Sequence, residues 1–292
     1  MQSKFMGCIY GSIIGDIIGS YNEFRFGKQI RKLSPKVLQT EKSVFDYPFG
    51  YFTDDTSMSL ITIKNMSKHY DKSNFMNDWQ RWRIKGYMSS DKHCFDIGGQ
   101  TQRSLIRYFS KIPYIRNKEK VDGNGALMRI HPVALRYYND ELTLYRETSK
   151  LNDYTHEESE VSRNLCFNLN WAIAACLQGK SKQEVLNRLM YGPIMDVNVK
   201  TSGYVVDTYA AVVHTFNKFD NLMDGVYYLA NKGDDSDTCA AIYGALAGAF
   251  YGIEQIPSWM LEGIRHKNMI QDIAYKFYDH TISMSGKGAQ SI

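Results

Sequence analysis

Two runs of glycine at four-residue intervals constrain the fold of this chain more than any other feature. The first run is Gly7, Gly11, Gly15 and Gly19, and the second is Gly244, Gly248 and Gly252. Positions four apart lie one above another on a helix, so each run leaves one helix face without side chains. Glycine costs about 1 kcal/mol relative to alanine inside a helix, so such a stripe requires a compensating contact. We therefore predict two central helices whose backbones are closely approached, and their matching stripes make each a candidate partner for the other.

Helical periodicity continues along the rest of the chain, and strand patterns are scarce. Residues 56–70 and 157–177 carry apolar side chains largely on one face, as helices packed on a core do. Thr155, with two acidic residues after it in the first turn, is the predicted N-cap of the second segment. Further helices are predicted over residues 75–85, 101–109, 181–190, 202–216, 222–231, 238–251 and 268–278. We therefore expect an all-α fold in one compact multi-helix bundle over residues 1–282, followed by a flexible tail at 283–292.

Composition excludes several classes of protein. With 43% hydrophobic and 23% charged residues, the chain is too apolar to be disordered. Residues 7–20 are the most apolar early stretch, but Asp16 interrupts them and they are shorter than the roughly 20 residues of a membrane span, so no membrane partner is expected. Basic and acidic residues are interspersed and sum to a net charge of +4, so no nucleic-acid partner is expected. The five cysteines form no C-x-x-C pair, which favours reduced thiols in a cytoplasmic protein over zinc ligands.

Carboxylates stand at the ends of three predicted helices. Glu23 follows the first glycine helix, Thr53-Asp54-Asp55-Thr56 opens the helix at 56–70, and Asp235, Asp237 and Thr238 open the second glycine helix. One acidic turn alone is typical of a helix cap. Three such ends that meet would repel one another unless cations neutralise them. Oxygen ligands without histidine or cysteine favour Mg²⁺ first, Mn²⁺ second and Ca²⁺ third, and the number of carboxylates predicts a central site for two ions.

At these residues the chain resembles the ADP-ribosylglycohydrolase family. The resemblance covers nearly the whole length, from Gly15-Asp16 and Glu23 to Asp235-Ser236-Asp237-Thr238. Between them lie Phe52-Thr53-Asp54-Asp55-Thr56, Asp96-Ile97-Gly98 with Thr101, Gly123-Asn124-Gly125-Ala126-Leu127-Met128-Arg129, and Thr155-His156. The chain departs from the family pattern at Asp234, where glycine is usual, at Thr155, where serine is common, and at Gly99-Gln100. None of these departures removes a metal ligand, so an active enzyme is expected.

The resemblance implies an enzyme that removes ADP-ribose from a modified protein side chain, with arginine as the first choice of acceptor and serine as the second. It implies two Mg²⁺ ions, or Mn²⁺, held by Thr53, Asp54, Asp55, Asp235, Asp237 and Thr238. It implies catalytic roles for Glu23, Asp55 and Asp235, with Glu23 or Asp55 as the base for water. The implied substrate contacts are Glu23, Gly98, Thr101, Gly123, Asn124, Gly125, Ala126, Leu127, Met128 and His156.

The residues themselves leave other functions open. Carboxylate-bound magnesium in a helical bundle also suits a two-metal phosphohydrolase that acts on nucleotides. The other alternative is a non-catalytic protein, such as an immunity protein, that binds ADP-ribose or an ADP-ribosylated partner. For Arg129 both a phosphate contact and a structural ion pair remain open, and for His156 both a pocket position and a helix cap.

Overall fold

The computed structural model describes residues 1–112, 121–189 and 199–288, with side chains to 284. Over these residues the chain forms fourteen α-helices and three short 3-10 segments, and the one β-bridge pairs Gly123 with Tyr204. The helices are α1 (Gln2–Gly19), α2 (Pro35–Thr40), α3 (Asp54–Met66), α4 (Lys72–Lys85), α5 (Gly99–Ser110), α6 (His131–Tyr137), α7 (Glu141–His156), α8 (Glu160–Leu177), α9 (Lys182–Leu189), α10 (Val205–Lys218), α11 (Leu222–Ala230), α12 (Ser236–Tyr251), α13 (Ser258–Gly263) and α14 (Lys267–Gly288). The all-α prediction is confirmed.

The two glycine helices, α1 and α12, pack against each other at the centre of the molecule. A Cβ added to Gly11 would lie 2.2 Å from the carbonyl oxygen of Gly244, and one added to Gly248 would lie 1.9 Å from that of Gly7. Real Cβ atoms essentially never approach closer than 3.0 Å, so only glycine permits this contact. Every residue of α1 from Phe5 to Gly19 is buried, as expected for a helix that is apolar on all sides. The predicted close backbone approach is confirmed, and each helix is the other's partner.

The remaining helices surround this pair. Helices α8, α10 and α11 pack against α12, while α3 and α14 contact α1 and each other. Their buried apolar residues form one continuous core with those of α1 and α12. This arrangement brings the C-terminal end of α1 and the N-terminal ends of α3 and α12 to the same part of the core.

Each predicted helix overlaps one observed helix, and the largest difference is at the C-terminal end, where α14 runs on to Gly288. Residues 190 and 289–292, which belong to a predicted helix and to the predicted tail, lie outside the described residues. The prediction that Thr155 caps the helix over 157–177 is wrong. Thr155 lies in the last turn of α7, and α8 is capped by Ser159, whose Oγ accepts a hydrogen bond from the Ser162 amide.

Helix α7 itself escaped prediction, as did α2, α6 and α13. The buried face of α7 includes polar residues such as Thr148, Asn152 and Thr155, so it carries no continuous apolar stripe. Hydrophobic periodicity identifies a helix by such a stripe, so it does not predict a helix whose buried face is polar. Within the described residues, no helix combines the length and apolarity that crossing a membrane requires.

Candidate active site

Three helix ends meet in the core and bring the predicted carboxylates together. Thr53 precedes α3, and its Oγ1 lies 3.4 Å from one oxygen of Asp55 and 3.4 Å from one of Asp237, near the start of α12. Thr238 Oγ1 donates to Asp55 Oδ2 at 3.2 Å. The structure thus places side chains from the starts of α3 and α12 within contact of one another. Glu23, in the segment that follows α1, lies close to Asp237.

Glu23 belongs to a second group of carboxylates that includes one residue absent from the predicted set. Glu23, Asp96 and Asp237 each contribute an oxygen, and these oxygens lie within 4.8 Å of one another. Asp96 stands in the irregular segment between α4 and α5, with φ at +60°. The predicted set was drawn from helix ends, and Asp96 lies in no helix. The sequence feature that could have identified Asp96 is the Asp96-Ile97-Gly98 motif, of which only Gly98 was predicted as a site residue.

Burial and mutual repulsion make these carboxylates costly in the charged form. Burial, followed by the neighbouring charges of Asp237 and Asp96, raises the pKa of Glu23 far above its usual range. Burial likewise raises the pKa of Asp96 to about 7, and burial and nearby carboxylates raise the pKa values of Asp54, Asp55 and Asp237. Such shifts arise where like charges are held together away from water.

Several carboxylate oxygens in this group have no hydrogen-bond partner. Glu23 Oε2, Asp55 Oδ1 and Asp237 Oδ1 are buried and unpaired within the described part of the chain. Buried polar atoms are almost always paired, so three orphaned oxygens in one place require an explanation. A divalent cation would satisfy them, because it coordinates carboxylate oxygens directly and cancels the repulsion between them. The donor set therefore fits an oxygen-ligated metal.

Asp16 fixes the position of the segment that leads into α3. It is wholly buried in α1, and its oxygens accept hydrogen bonds from the Thr53 amide at 3.0 Å and the Thr56 amide at 3.0 Å. The Thr56 hydroxyl donates to the same carboxylate at 2.5 Å. Burial raises the pKa of Asp16 to about 6, against the opposing effect of these hydrogen bonds. Asp16 thus ties α1 to α3 directly beside the carboxylates, a role that sequence reasoning did not assign.

Backbone hydrogen bonds hold the Glu23 segment against the segment before α12. The amide of Phe24 donates to the carbonyl of Asp234 at 2.8 Å, and the amide of Asp234 donates to the carbonyl of Arg25 at 3.0 Å. Phe24 and Asp234 both have φ near +55°, a conformation uncommon outside glycine. A non-glycine residue is strained in this conformation and keeps it only where the surrounding structure imposes it. Such strained residues are found most often at functional sites. Asp234, one of the residues that depart from the family pattern, is part of this strained pair.

A cavity of about 300 Å³ adjoins the carboxylates. The predicted site residues along it are Glu23, Asp54, Gly98, Thr101, Gly123, Asn124, Gly125, Met128, His156, Asp235 and Thr238, joined by Asp96. Thr53, Asp55 and Asp237 are not in its lining and lie buried beside it. Ala126 and Leu127 are also outside the lining, because both are wholly buried in the core.

Asn124 connects the glycine loop at 123–125 to the carboxylates. Its Nδ2 donates to Asp235 Oδ2 at 2.7 Å and to Thr208 Oγ1 at 2.9 Å. A Cβ added to Gly123 would lie 3.0 Å from Gln100 Oε1, and one added to Gly125 would lie 3.1 Å from Thr101 Oγ1. Small residues in this loop therefore leave the cavity open between the loop and α5.

Comparison with known proteins agrees with this arrangement. A family model described as ADP-ribosylglycohydrolase matches residues 1–285. "ADP-ribosylarginine hydrolase Tri1" of Pseudomonas putida is 29% identical over 94% of this chain and 77% of its own length. "ADP-ribosyl-[dinitrogen reductase] glycohydrolase" of Rhodospirillum rubrum is 27% identical over 91% of this chain and 92% of its own. A solved structure titled "ADP-ribosylglycohydrolase-related protein complex" is similar with a TM-score of 0.79 and 25% identity, covering 96% of this chain and 98% of that one.

Proposed function

The chain belongs to the ADP-ribosylglycohydrolase family, and from this premise we propose that it releases ADP-ribose from modified arginine side chains of proteins by hydrolysing the N-glycosidic bond. The observation that carries the proposal is the group of buried carboxylates with orphaned oxygens beside a cavity bordered by a glycine loop. Serine-linked ADP-ribose is the second choice of substrate. The names of the relatives in Pseudomonas putida and Rhodospirillum rubrum support a modified protein as substrate, and the first of them favours arginine.

The proposal includes a divalent metal centre, with two Mg²⁺ ions, or Mn²⁺, as the cofactors. Thr53, Asp54, Asp55, Asp235, Asp237 and Thr238 are the proposed ligands, and Glu23 and Asp96 lie close enough to join them. When bound, the cations supply Lewis-acid stabilisation and a template for the ribose hydroxyls.

The chain's own residues supply positioning and proton transfer. The loop at 123–125 borders the same cavity as Asp54 and Asp235, so its backbone and Asn124 can hold the ADP-ribose while Asn124 keeps Asp235 oriented. A second cavity of about 610 Å³ shares Gln100, Gly123 and Gly203 with the first, and together they offer the volume that nucleotide-sized ligands occupy.

Glu23 is the proposed base, because bound cations would offset the neighbouring carboxylates that raise its pKa and would leave it ionised. It lines the cavity, is only 1% exposed, and carries an unpaired Oε2. In the proposed step a water oxygen attacks the anomeric carbon while Glu23 accepts a water proton, and the bond to the guanidinium nitrogen breaks so that neutral guanidine leaves. The proton held by Glu23 then passes to the guanidine, which restores both groups to their starting charge. Asp55 is the alternative base, and Asp235 completes the catalytic carboxylates.

The proposal also includes location. All five cysteines are free thiols, and four of them are buried, which fits the reducing conditions of the cytoplasm.

The test measures ADP-ribose release from an arginine-ADP-ribosylated protein and from a serine-linked peptide, with Mg²⁺, with Mn²⁺ and with EDTA. Asp235→Ala is the active-site variant, and Asp78→Asn, which changes a mostly buried carboxylate in α4, is the matched control. We expect metal-dependent release, faster from arginine, that Asp235→Ala abolishes and Asp78→Asn retains. Release of phosphate or nucleoside monophosphate instead would contradict the proposal and favour a phosphohydrolase, while binding of ADP-ribose without release from either substrate would favour a binding protein.

A further inference from the structure

Arg129 is a buried positive charge with an unusual set of partners. It is 0% exposed, and its guanidinium carbon lies 4.1 Å from the centre of the Trp79 ring. Its Nη2 donates to Thr155 Oγ1 at 2.6 Å, while Nε and Nη1 have no hydrogen-bond partner among the described residues. Burial lowers the pKa of Arg129 to about 9, so the group stays charged at neutral pH. Among the described residues it has no carboxylate partner, and it lies outside the lining of the cavity, so neither the ion pair nor the phosphate contact that the sequence left open is seen.

Burying a charge costs free energy unless hydrogen bonds or an opposite charge compensate it. The hydrogen bond of Arg129 to Thr155 connects it to His156, which lines the cavity. Thr155 Oγ1 lies 2.7 Å from His156 Nδ1. An arginine N–H can only donate, so Oγ1 is the acceptor in its bond to Arg129. A hydroxyl has a single hydrogen, and the only described partner that it can serve in return is His156 Nδ1. Nδ1 is then the acceptor, and it carries no proton.

We propose that Arg129, acting through Thr155, fixes His156 as the neutral tautomer protonated at Nε2, with that N–H presented to the cavity as a hydrogen-bond donor. His156 is 1% exposed and its Nε2 has no partner within the described structure. A Cβ added to Gly125 would lie 3.6 Å from Nε2, and one added to Gly123 would lie 3.7 Å from it, so the nitrogen borders the space that these glycines leave open. Arg129 and Thr155 are positioning residues that do not touch the ligand.

This tautomer restricts what His156 can bind and do. A neutral Nε2–H recognises an acceptor oxygen, such as a phosphate or hydroxyl oxygen, and cannot accept a proton from water. Burial, then the charges of Arg129 and Arg103, lowers the pKa of His156 to about 3, so the ring is not a cationic acid for the leaving group either. The identity of the oxygen as part of ADP-ribose rests on the proposed function, whereas the tautomer does not.

The tautomer is measured directly by long-range ¹H–¹⁵N spectroscopy of metal-free protein with ¹⁵N-labelled histidine. The chain has seven histidines, and His156→Gln identifies the signals of His156. We expect one ring nitrogen, Nδ1, at the shift of an unprotonated nitrogen and Nε2 at that of a protonated one. Thr155→Val removes the hydroxyl, so both shifts move as the two tautomers exchange, and Thr155→Ser restores the wild-type shifts. Thr215→Val is the matched control, because Thr215 is also a buried threonine and, within the described residues, its hydroxyl donates only to the Ala211 carbonyl.

A wild-type His156 protonated at Nδ1 or at both nitrogens, or shifts unchanged in Thr155→Val, would overturn the inference. Calorimetry with ADP-ribose is the second measurement, and Thr155→Val should bind about 10-fold more weakly than Thr155→Ser and Thr215→Val, as loss of one well-oriented donor predicts. Equal affinity of Thr155→Val and Thr155→Ser would overturn the role in binding. Failure of every variant and the wild type to bind ADP-ribose would contradict the proposed function and not the tautomer, which the spectra decide alone.

Discussion

Replacing Gly11 with alanine should force α1 and α12 apart. The added Cβ would lie 2.2 Å from the Gly244 carbonyl oxygen, so the backbones must separate by about 0.8 Å at that level to reach the 3.0 Å limit of real contacts. Alanine is favoured over glycine in a helix by about 1 kcal/mol. Overpacking costs about 1–3 kcal/mol, and the upper end applies because the obstacle is backbone and cannot rotate away. The expected net loss of unfolding free energy is about 2 kcal/mol, or roughly 3 °C in melting temperature for a chain of this length.

Urea denaturation followed by far-ultraviolet circular dichroism measures this difference. Ser12→Ala is the matched control, since Ser12 is the next residue of α1, is buried, and has a hydroxyl without a described hydrogen-bond partner. Removing that hydroxyl should leave stability unchanged or slightly higher. A Gly11→Ala protein as stable as Ser12→Ala would refute the reasoning, because the helices would then have room for a methyl group that the structure denies them.

Three other predictions follow from the site and its surroundings. Asp16→Ala leaves the buried Thr53 and Thr56 amides without their acceptor and should lower stability by about 3 kcal/mol in the same denaturation assay, with Asp16→Asn losing less; a wild-type midpoint for Asp16→Ala would exclude the tie between α1 and α3. At 100 times its dissociation constant, Mg²⁺ or Mn²⁺ should stabilise the wild type over EDTA by about 2.7 kcal/mol, and Asp237→Asn should remove that gain; an undiminished gain in the variant would exclude Asp237 as a ligand. Burial lowers the pKa of His131 to about 3 from the usual 6.5, so below about pH 6.5 the unfolded chain takes up a proton that the folded chain does not, and stability falls as pH falls towards 3. His131→Leu should reduce the slope of unfolding free energy against pH by the amount that corresponds to one proton. An identical slope in the variant would contradict the lowered pKa of His131.

The sequence predicted the centre of the fold well because the glycine spacing encodes a backbone contact. Gly11 and Gly244 have no side chain, so their only structural use at helical spacing is close approach, and each run pointed to that use independently. The carboxylates at the ends of α1, α3 and α12 followed from the same reasoning. Once the two glycine helices pack together, the acidic residues at their ends are close neighbours.

The misses share a physical cause, which is that their roles depend on contacts between distant segments. Asp16 looks like a polar interruption of an apolar helix, and only the packing of α1 beside α3 makes it a cap for Thr53 and Thr56. Asp96 lies in an irregular segment without periodicity. Thr155 was misplaced because only a short turn separates α7 from α8, so the stripe of α8 was extended backwards through the end of a helix whose buried face is polar.

The packing of α1 on α12 also sets when the site can first exist during synthesis. The contact joins Gly7 to Gly248 and Gly19 to Asp237, pairs separated by most of the chain, so the helix at the centre of the molecule lacks its main partner until the last quarter of the sequence has emerged from the ribosome. Contacts of such sequence separation form late and slowly, and an apolar helix that waits for them is exposed to aggregation. Chains truncated before α12 should therefore fail as folded proteins altogether rather than survive as inactive ones, so folding and assembly of the carboxylate site are one event.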